Sequence, residues 1–265
     1  MVKHIKNKII LITAGASGIG ADMAKSLSKA GASVIIGDKD EIALKRLEKE
    51  SSDILAIQAD VSNESDVAML FETVKSRFGK IDALINNAGI PGPSVKLEDI
   101  DLKDWEEAIK VNLTGTFLCS KSAIQLLKES GGGSIINIGS TSSFIGTPLR
   151  SAYTASKWGL IGLTKTWAME YGKDKIRVNT VCPTSVSGER IEGVIERDAE
   201  YSKIDPEKIR QAYLDQTSLK TFIDSEEIVG MVVYLLSPLA KNISGQMMVI
   251  DGHTETLTMP EFSEE

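Results

Sequence analysis

Thr13-Ala14-Gly15-Ala16-Ser17-Gly18-Ile19-Gly20 follows a β-branched run at residues 8–13 (KIILIT) and leads directly into a helical pattern at 20–30. Glycines at such a joint permit a tight turn, let the backbone approach a diphosphate and allow close helix–strand packing. The helix amino terminus that follows offers N–H donors and the positive end of its dipole. A glycine-rich loop alone can be only a turn, so its strand–loop–helix position carries the reading. Gly15, Ser17, Gly18, Ile19 and Gly20 are therefore candidate diphosphate contacts.

Working outward, the same alternation recurs along the chain. Short apolar runs at 33–37, 54–59, 82–86, 134–138, 176–182 and 246–250 read as strands, several apolar nearly throughout, as parallel strands covered on both faces require. Amphipathic stretches at 41–50, 64–78, 104–127, 152–171 and 225–236 read as helices. Strand then helix, repeated without a divided linker, predicts one domain over 1–265. It is a doubly wound, Rossmann-type parallel sheet of about seven strands with helices on both faces. The 39-residue stretch 184–222 breaks the rhythm: it is charged and has no strand pattern. We expect two short helices there, the second opening at Asp205-Pro206-Glu207, forming a lid over the site.

The second strand ends at Asp38, 18 residues past the last loop glycine, where an acidic side chain hydrogen-bonds the adenosine ribose and repels a 2′-phosphate. This favours NAD over NADP; the plainer reading is a cap for the next helix. Tyr153 and Lys157 stand four apart on the 152–171 helix, hence on one face. A neighbouring ammonium favours phenolate, making Tyr153 a candidate general acid/base. Such pairs are common by chance. Ser140, 13 residues upstream at a strand end, could hold a substrate oxygen or simply form a turn.

Taken together and in order, these features resemble the short-chain dehydrogenase/reductases over nearly the whole chain. The shared features are the glycine loop, Asp38, Asp60-Val61, Asn86-Asn87-Ala88-Gly89, Asn112 within KVNLTG, Ser140, Tyr153 with Lys157, Arg177-Val178-Asn179, Pro183 and the Gly245-to-Gly252 ending. The resemblance implies that Tyr153 is the acid/base, Ser140 positions the carbonyl or alcohol oxygen, and Lys157 binds the nicotinamide ribose. It implies that Asn112 anchors a water leading from Lys157 to solvent. It also implies that Asp60 and Val61 contact adenine, Asn87, Ala88 and Gly89 line the ribose, and Pro183 and Val186 border the nicotinamide. Ser142 and Arg150 are candidate substrate contacts. In relatives acting on small hydroxy acids a basic residue at the place of Arg150 grips the carboxylate, against the simpler reading of a solvated surface arginine. Three positions, in two places, depart from the family pattern. Ala14 replaces the first loop glycine and is tolerable there only if the position keeps φ negative, while Thr184 and Gly188 replace the usual glycine and threonine after the sixth strand.

Composition narrows the rest. The chain has 265 residues, 30 basic against 37 acidic, and no basic cluster to attract phosphate backbones, so no nucleic-acid partner is expected. There is no apolar run long enough for a membrane span, and the chain is expected to be cytoplasmic. Two histidines, His4 and His253, are too few for a histidine-built metal centre. Cys182 and Cys119 read as inert packed thiols, Trp158 and Trp167 as a packing or subunit face, and Glu255, Glu261, Glu264 and Glu265 as a solvated tail. The expected activity is an oxidoreductase moving hydride between NAD(H) and a small polar secondary alcohol or ketone: a hydroxy acid, sugar or polyol. The alternatives are a 3-oxoacyl-carrier-protein-type reductase and, from another class, a non-catalytic dinucleotide-binding sensor. The apolar helix at 228–236 and the strand at 247–250 point to a homotetramer.

Overall fold

The computed structural model describes residues 4–258; Glu261, Glu264 and Glu265 lie outside them. Seven strands form a single sheet: β1 (Ile9–Thr13), β2 (Ser33–Asp38), β3 (Ile54–Gln58), β4 (Ala83–Asn86), β5 (Gly133–Ile138), β6 (Ile176–Pro183) and β7 (Met247–Ile250). Their order is β3-β2-β1-β4-β5-β6-β7, and every neighbouring pair is parallel. The order reverses between β1 and β4, which opens the crevice at the carboxyl ends where such sheets bind ligands.

Period-two alternation along β1 explains how the two faces are covered. Ile10 and Ile12 join one core with Val34 and Ile36 of β2. That core is closed by α1 (Gly18–Lys29) through Met23 and Leu27, by α2 (Glu41–Glu50) through Leu44, and by α9 (Ser225–Leu236) through Ile228 and Val232. Leu11 and Ile35 point the other way, to a second core with Leu70 and Val74 of α3 (Glu64–Phe78). Side chains such as Leu11 and Val232 have no solvent exposure, so each withdraws roughly 1.5–3 kcal/mol of apolar surface from water.

The stretch expected as one helix over 104–127 is two, and this is a correction. α4 (Leu102–Ile109) passes through a π-turn at Lys110–Thr114 into α5 (Gly115–Glu129). The cause is tertiary. Asn112 is fully buried, its Nδ2 donating to Ile90 O at 3.0 Å and its Oδ1 accepting from Ile90 N at 2.8 Å. Thr116 Oγ1 bonds the Asn112 carbonyl at 2.9 Å. On the other side, a Cβ on Gly115 would lie 2.8 Å from Val61, so only glycine lets the widened turn close. Widened turns of this kind collect at functional sites.

α6 (Ser151–Tyr171) carries Tyr153 and packs on β6. Trp167 joins the second core, but Trp158 is half exposed, so the two do not share one packing face. The 184–222 stretch folds into α7 (Glu189–Ser202) and α8 (Pro206–Asp215), with Asp205 capping α8 through Glu207 N at 2.8 Å. The helices hold a small core of their own, Ile191, Ile195, Ala199 and Ile209. Both ends of the stretch are stitched together. Ser187 N donates to Ile223 O at 2.9 Å and Ile223 N to Ser185 O at 3.1 Å.

Candidate active site

The glycine loop leaves β1 against a fixed partner. Thr13 Oγ1 accepts from Asn87 N at 3.0 Å and Ala88 N at 3.1 Å, and Asn87 Nδ2 donates to Ala14 O at 2.9 Å. These bonds tie the ends of β1 and β4 across the switch point. A Cβ on Gly20 would meet Ala14 O at 2.1 Å, and one on Gly15 would meet Ile36 at 2.4 Å, so both positions demand glycine. Ala14 would escape strain only by keeping φ negative. It does not: its φ is +51°, in the left-handed region that costs an L-residue roughly 1 kcal/mol. Held by Asn87 and by its own N–H to Gly37 O at 2.6 Å, it reproduces the turn a glycine would make.

Ser17 at the N-cap of α1 makes no side-chain cap, and Gly18, at φ +48°, has open space where a Cβ would be. Those uncapped N–H groups fit a diphosphate. Asp38 is buried at the end of β2, where its Oδ2 accepts from Ala16 N at 3.0 Å and its Oδ1 from Asp40 N at 3.0 Å. The carboxylate is thereby fixed beside the loop rather than spent on capping α2, which Asp40 does. Asp60 accepts from Ser62 N at 2.8 Å, and Val61 is packed against Gly115. The residues present accommodate a dinucleotide lying from Asp38 across the loop to β5.

At the carboxyl end of β5, Ser140 Oγ accepts from Ser142 N at 3.2 Å, and Ser143 Oγ accepts from Ser140 N at 3.1 Å. The capped turn fixes Ser140's direction. Ser142 is buried, its hydroxyl paired with Thr147 at 2.7 Å. Tyr153 and Lys157 meet as their spacing requires, the ammonium 5.7 Å from the phenol ring centre. Lys157 is buried and donates to Ile138 O at 2.7 Å, and a Cβ on Gly89 would lie 3.4 Å from its Nζ. Asn112 reaches the same place, 3.3 Å from that Cβ, and is braced by Ser156 Oγ at 3.0 Å.

The electrostatics suit proton transfer. Burial alone would push the Tyr153 phenol up; the Lys157 ammonium, Arg190, a hydrogen bond from Ser140 and Arg150 outweigh it and hold the phenol below its usual value. Burial pushes Lys157 down, with Tyr153 opposing and Arg190 adding to the fall. Cys182 is raised to about 11 chiefly by burial, and its thiol is inert.

Arg150 is not the solvated surface residue its charge suggested. Its Nη2 donates to Asp198 Oδ1 at 3.0 Å, with both side chains largely buried. Asp198 also accepts from Ser94 Oγ at 2.6 Å and Tyr213 OH at 2.5 Å, so one carboxylate joins α6, α7, α8 and the loop after β4. Gly188 has φ +130°, a conformation threonine adopts only with strain, so its departure from the family pattern follows the backbone path. Sequence reasoning assigned no role to Ser94, Ser156, Asp198 or Tyr213; no local spacing announces contacts of such long range. It also missed a buried relay beneath the site, in which Asn86 Nδ2 donates to Asn137 Oδ1 at 2.9 Å and Asn137 Nδ2 to Thr164 at 2.8 Å.

Comparison with known proteins agrees with this geometry. Residues 13–253 match the family model described as enoyl-(acyl carrier protein) reductase. The chain is 36% identical to the D-beta-hydroxybutyrate dehydrogenase of Rhizobium meliloti over 252 residues, 92% of this chain and 97% of that one. It is 33% identical to the 3-oxoacyl-(acyl-carrier-protein) reductase of Thermotoga maritima over 253 residues, 94% and 98% of the two chains. The solved structure of an NAD+-bound xylitol dehydrogenase superposes with a TM-score of 0.88 at 28% identity, covering 93% of this chain and 98% of that one. A parallel sheet reversing at the glycine loop, a half-buried Tyr153 beside a buried Lys157 at its carboxyl edge and these full-length likenesses have one common explanation. The chain belongs to the short-chain dehydrogenase/reductase family, oxidoreductases of alcohols and ketones that bind a nicotinamide dinucleotide.

Proposed function

We propose that this chain is an NAD-linked dehydrogenase of small polar secondary alcohols, with hydroxy acids, sugars and polyols as the substrate class. The observation that carries the reading is the convergence of Ser140, Tyr153, Lys157 and Asn112 at the carboxyl end of β5, with the phenol held below its usual range. The cofactor, when bound, supplies the hydride acceptor. In the oxidation direction Tyr153 takes the hydroxyl proton at Oη while Ser140 holds the same oxygen in line. Lys157 keeps the phenolate charged, and Asn112, fixed by Ile90 and Ser156, sets where Lys157 can sit. Gly15, Ser17, Gly18, Ile19 and Gly20 would hold the diphosphate, Asp60 and Val61 the adenine, and Asn87, Ala88 and Gly89 with Pro183 and Val186 the nicotinamide side. Segment 184–222 would act as the lid excluding water.

NAD rather than NADP is supported by Asp38, a buried carboxylate where a 2′-phosphate would have to lie. The carrier-protein reductase at 33% identity supports a second reading, a ketoacyl group on a carrier as the substrate, for which we take NADPH as the reductant. One comparison separates them. We expect NADH to bind at least tenfold more tightly than NADPH; the reverse order favours the carrier-linked reading. The mechanism itself is tested by Tyr153→Phe, expected to lower kcat by about 10²–10⁴-fold with NADH binding intact. Turnover surviving within a few-fold would refute it. Edge strand β7 and α9 are offered as tetramer contacts, and a scattering mass near 28.6 kDa would refute the tetramer.

A further inference from the structure

The residues around the reaction centre include one cation that the catalytic scheme does not use. Arg190 lies in the first turn of α7 and is exposed, yet its Nη1 donates to Gly89 O at 3.4 Å. Gly89 is the residue whose Cβ would lie 3.3 Å from Asn112 Oδ1 and 3.4 Å from Lys157 Nζ. The guanidinium therefore shares a pocket with the Tyr153–Lys157 pair. Two carboxylates of α7 are committed elsewhere: Asp198 pairs with Arg150, and Glu192 pairs with Arg210. Arg190 has no ion pair among the described residues, and a single long bond to a carbonyl leaves most of its five N–H donors free.

Lys157 and Arg190 face one pocket with two positive charges, of which the Tyr153 phenolate answers one. The planar fork of a guanidinium matches the two oxygens of a carboxylate. Arg150, the other candidate for that task, is buried and its charge is already balanced by Asp198.

We propose that Arg190 is the specificity-determining anchor for an anionic substrate. It would grip the carboxylate of a short hydroxy acid while Ser140 and Tyr153 hold the reacting oxygen, and Arg150 would hold the lid instead of the ligand. This deepens the proposed dehydrogenase function and rests on it. The other source of oxyanions in this pocket is the diphosphate of the cofactor, and the test separates the two.

The experiment compares wild type with Arg190→Gln and Arg190→Lys on 3-hydroxybutanoate and on its neutral counterpart, 3-hydroxybutanamide, with NAD. The quantity read is the ratio of the two kcat/KM values, from which any common change in the surroundings of Tyr153 divides out. We expect Arg190→Gln to lower the acid-to-amide ratio about 100-fold, as loss of a two-point charge-assisted contact should, with partial recovery in Arg190→Lys. In parallel, malonate is titrated into the enzyme–NADH complex, where Arg190→Gln should weaken binding at least tenfold. A ratio unchanged within threefold, or malonate binding equally to both proteins, overturns the anchor. So does a tenfold loss of NADH affinity with the ratio preserved, which assigns Arg190 to the diphosphate. If neither alcohol is turned over, the malonate arm decides alone. Arg190-dependent binding then upholds the anion pocket while counting against the dehydrogenase reading for these alcohols, and failure of malonate to bind overturns the pocket.

Discussion

Asp198→Asn tests whether one carboxylate pins the 184–222 segment to the catalytic helix. Asp198 accepts from Arg150 at 3.0 Å, Ser94 at 2.6 Å and Tyr213 at 2.5 Å, and burial with Asp198 beside it pushes the Tyr213 phenol well above its usual value. An amide in that place has one accepting atom instead of two and carries no charge, so Arg150, 7% exposed, is left without its counter-ion. Removing one partner of a buried pair costs about 3–5 kcal/mol, and because Asp198 keeps some exposure the lower end applies. About 3 kcal/mol corresponds to roughly a 100-fold shift toward the open segment. The pairing lies between the segment and the body, so the loss should be local. Hydrogen exchange read by mass spectrometry should show peptides over 189–215 losing about 100-fold in protection, with peptides over β1 and β4 unchanged. Equal loss throughout the sheet, or less than threefold loss in α7 and α8, refutes the reasoning. The apolar replacement Arg150→Met/Asp198→Leu/Tyr213→Phe removes the ion pair and the Tyr213 hydroxyl together, leaving the Ser94 hydroxyl as the stranded partner, and should recover most of the protection.

Three further outcomes are expected. Alcohol oxidation needs Tyr153 deprotonated, so its rate should rise with pH to a plateau reached below the ordinary phenol value. Lys157→Met removes the largest influence opposing burial and should move that inflection upward in the kcat profile; an unmoved inflection refutes the coupling. Ala14→Gly relieves left-handed strain of roughly 1 kcal/mol but loosens the unfolded chain, for a net gain of about 0.5 kcal/mol in urea denaturation. A lower midpoint would mean that the Ala14 methyl packs better than its backbone suffers. Cys119 and Cys182, raised to about 12 and about 11 by burial, should stay unlabelled by a thiol reagent at pH 8 until the protein unfolds.

The strands and most helices were legible because they are governed by local pattern. A buried parallel strand such as β1 is a nearly continuous apolar run, and amphipathic helices repeat every three to four residues, so both are visible without knowledge of neighbours. The π-turn at Lys110–Thr114 was not, because nothing in its own five residues favours it. It is imposed by Asn112 bonding Ile90 and Ser156, partners 22 and 44 positions away, and by Gly115 closing on Val61. Arg150 misled for the same reason. Its sequence neighbours show a charged residue at a helix start, while its counter-ion lies 48 positions on, in a segment whose fold is the least patterned of the chain.

Ala14 and Gly188 show residue type and backbone conformation being set separately. At Ala14 the residue differs from the expected glycine but the left-handed turn is retained, at φ +51°, because Asn87 and Gly37 fix the chain on either side. At Gly188 the opposite holds. A glycine at φ +130° stands where the family pattern places threonine, and the chain takes a course into α7 that a β-branched residue would resist. The residue that benefits is Arg190, two positions later, which that course brings to Gly89 O. The glycine conformation at 188 and the position of the guanidinium at 190 are therefore linked through one backbone path. A chain with threonine restored at 188 would have to redirect the first turn of α7, and with it the cation that faces Lys157.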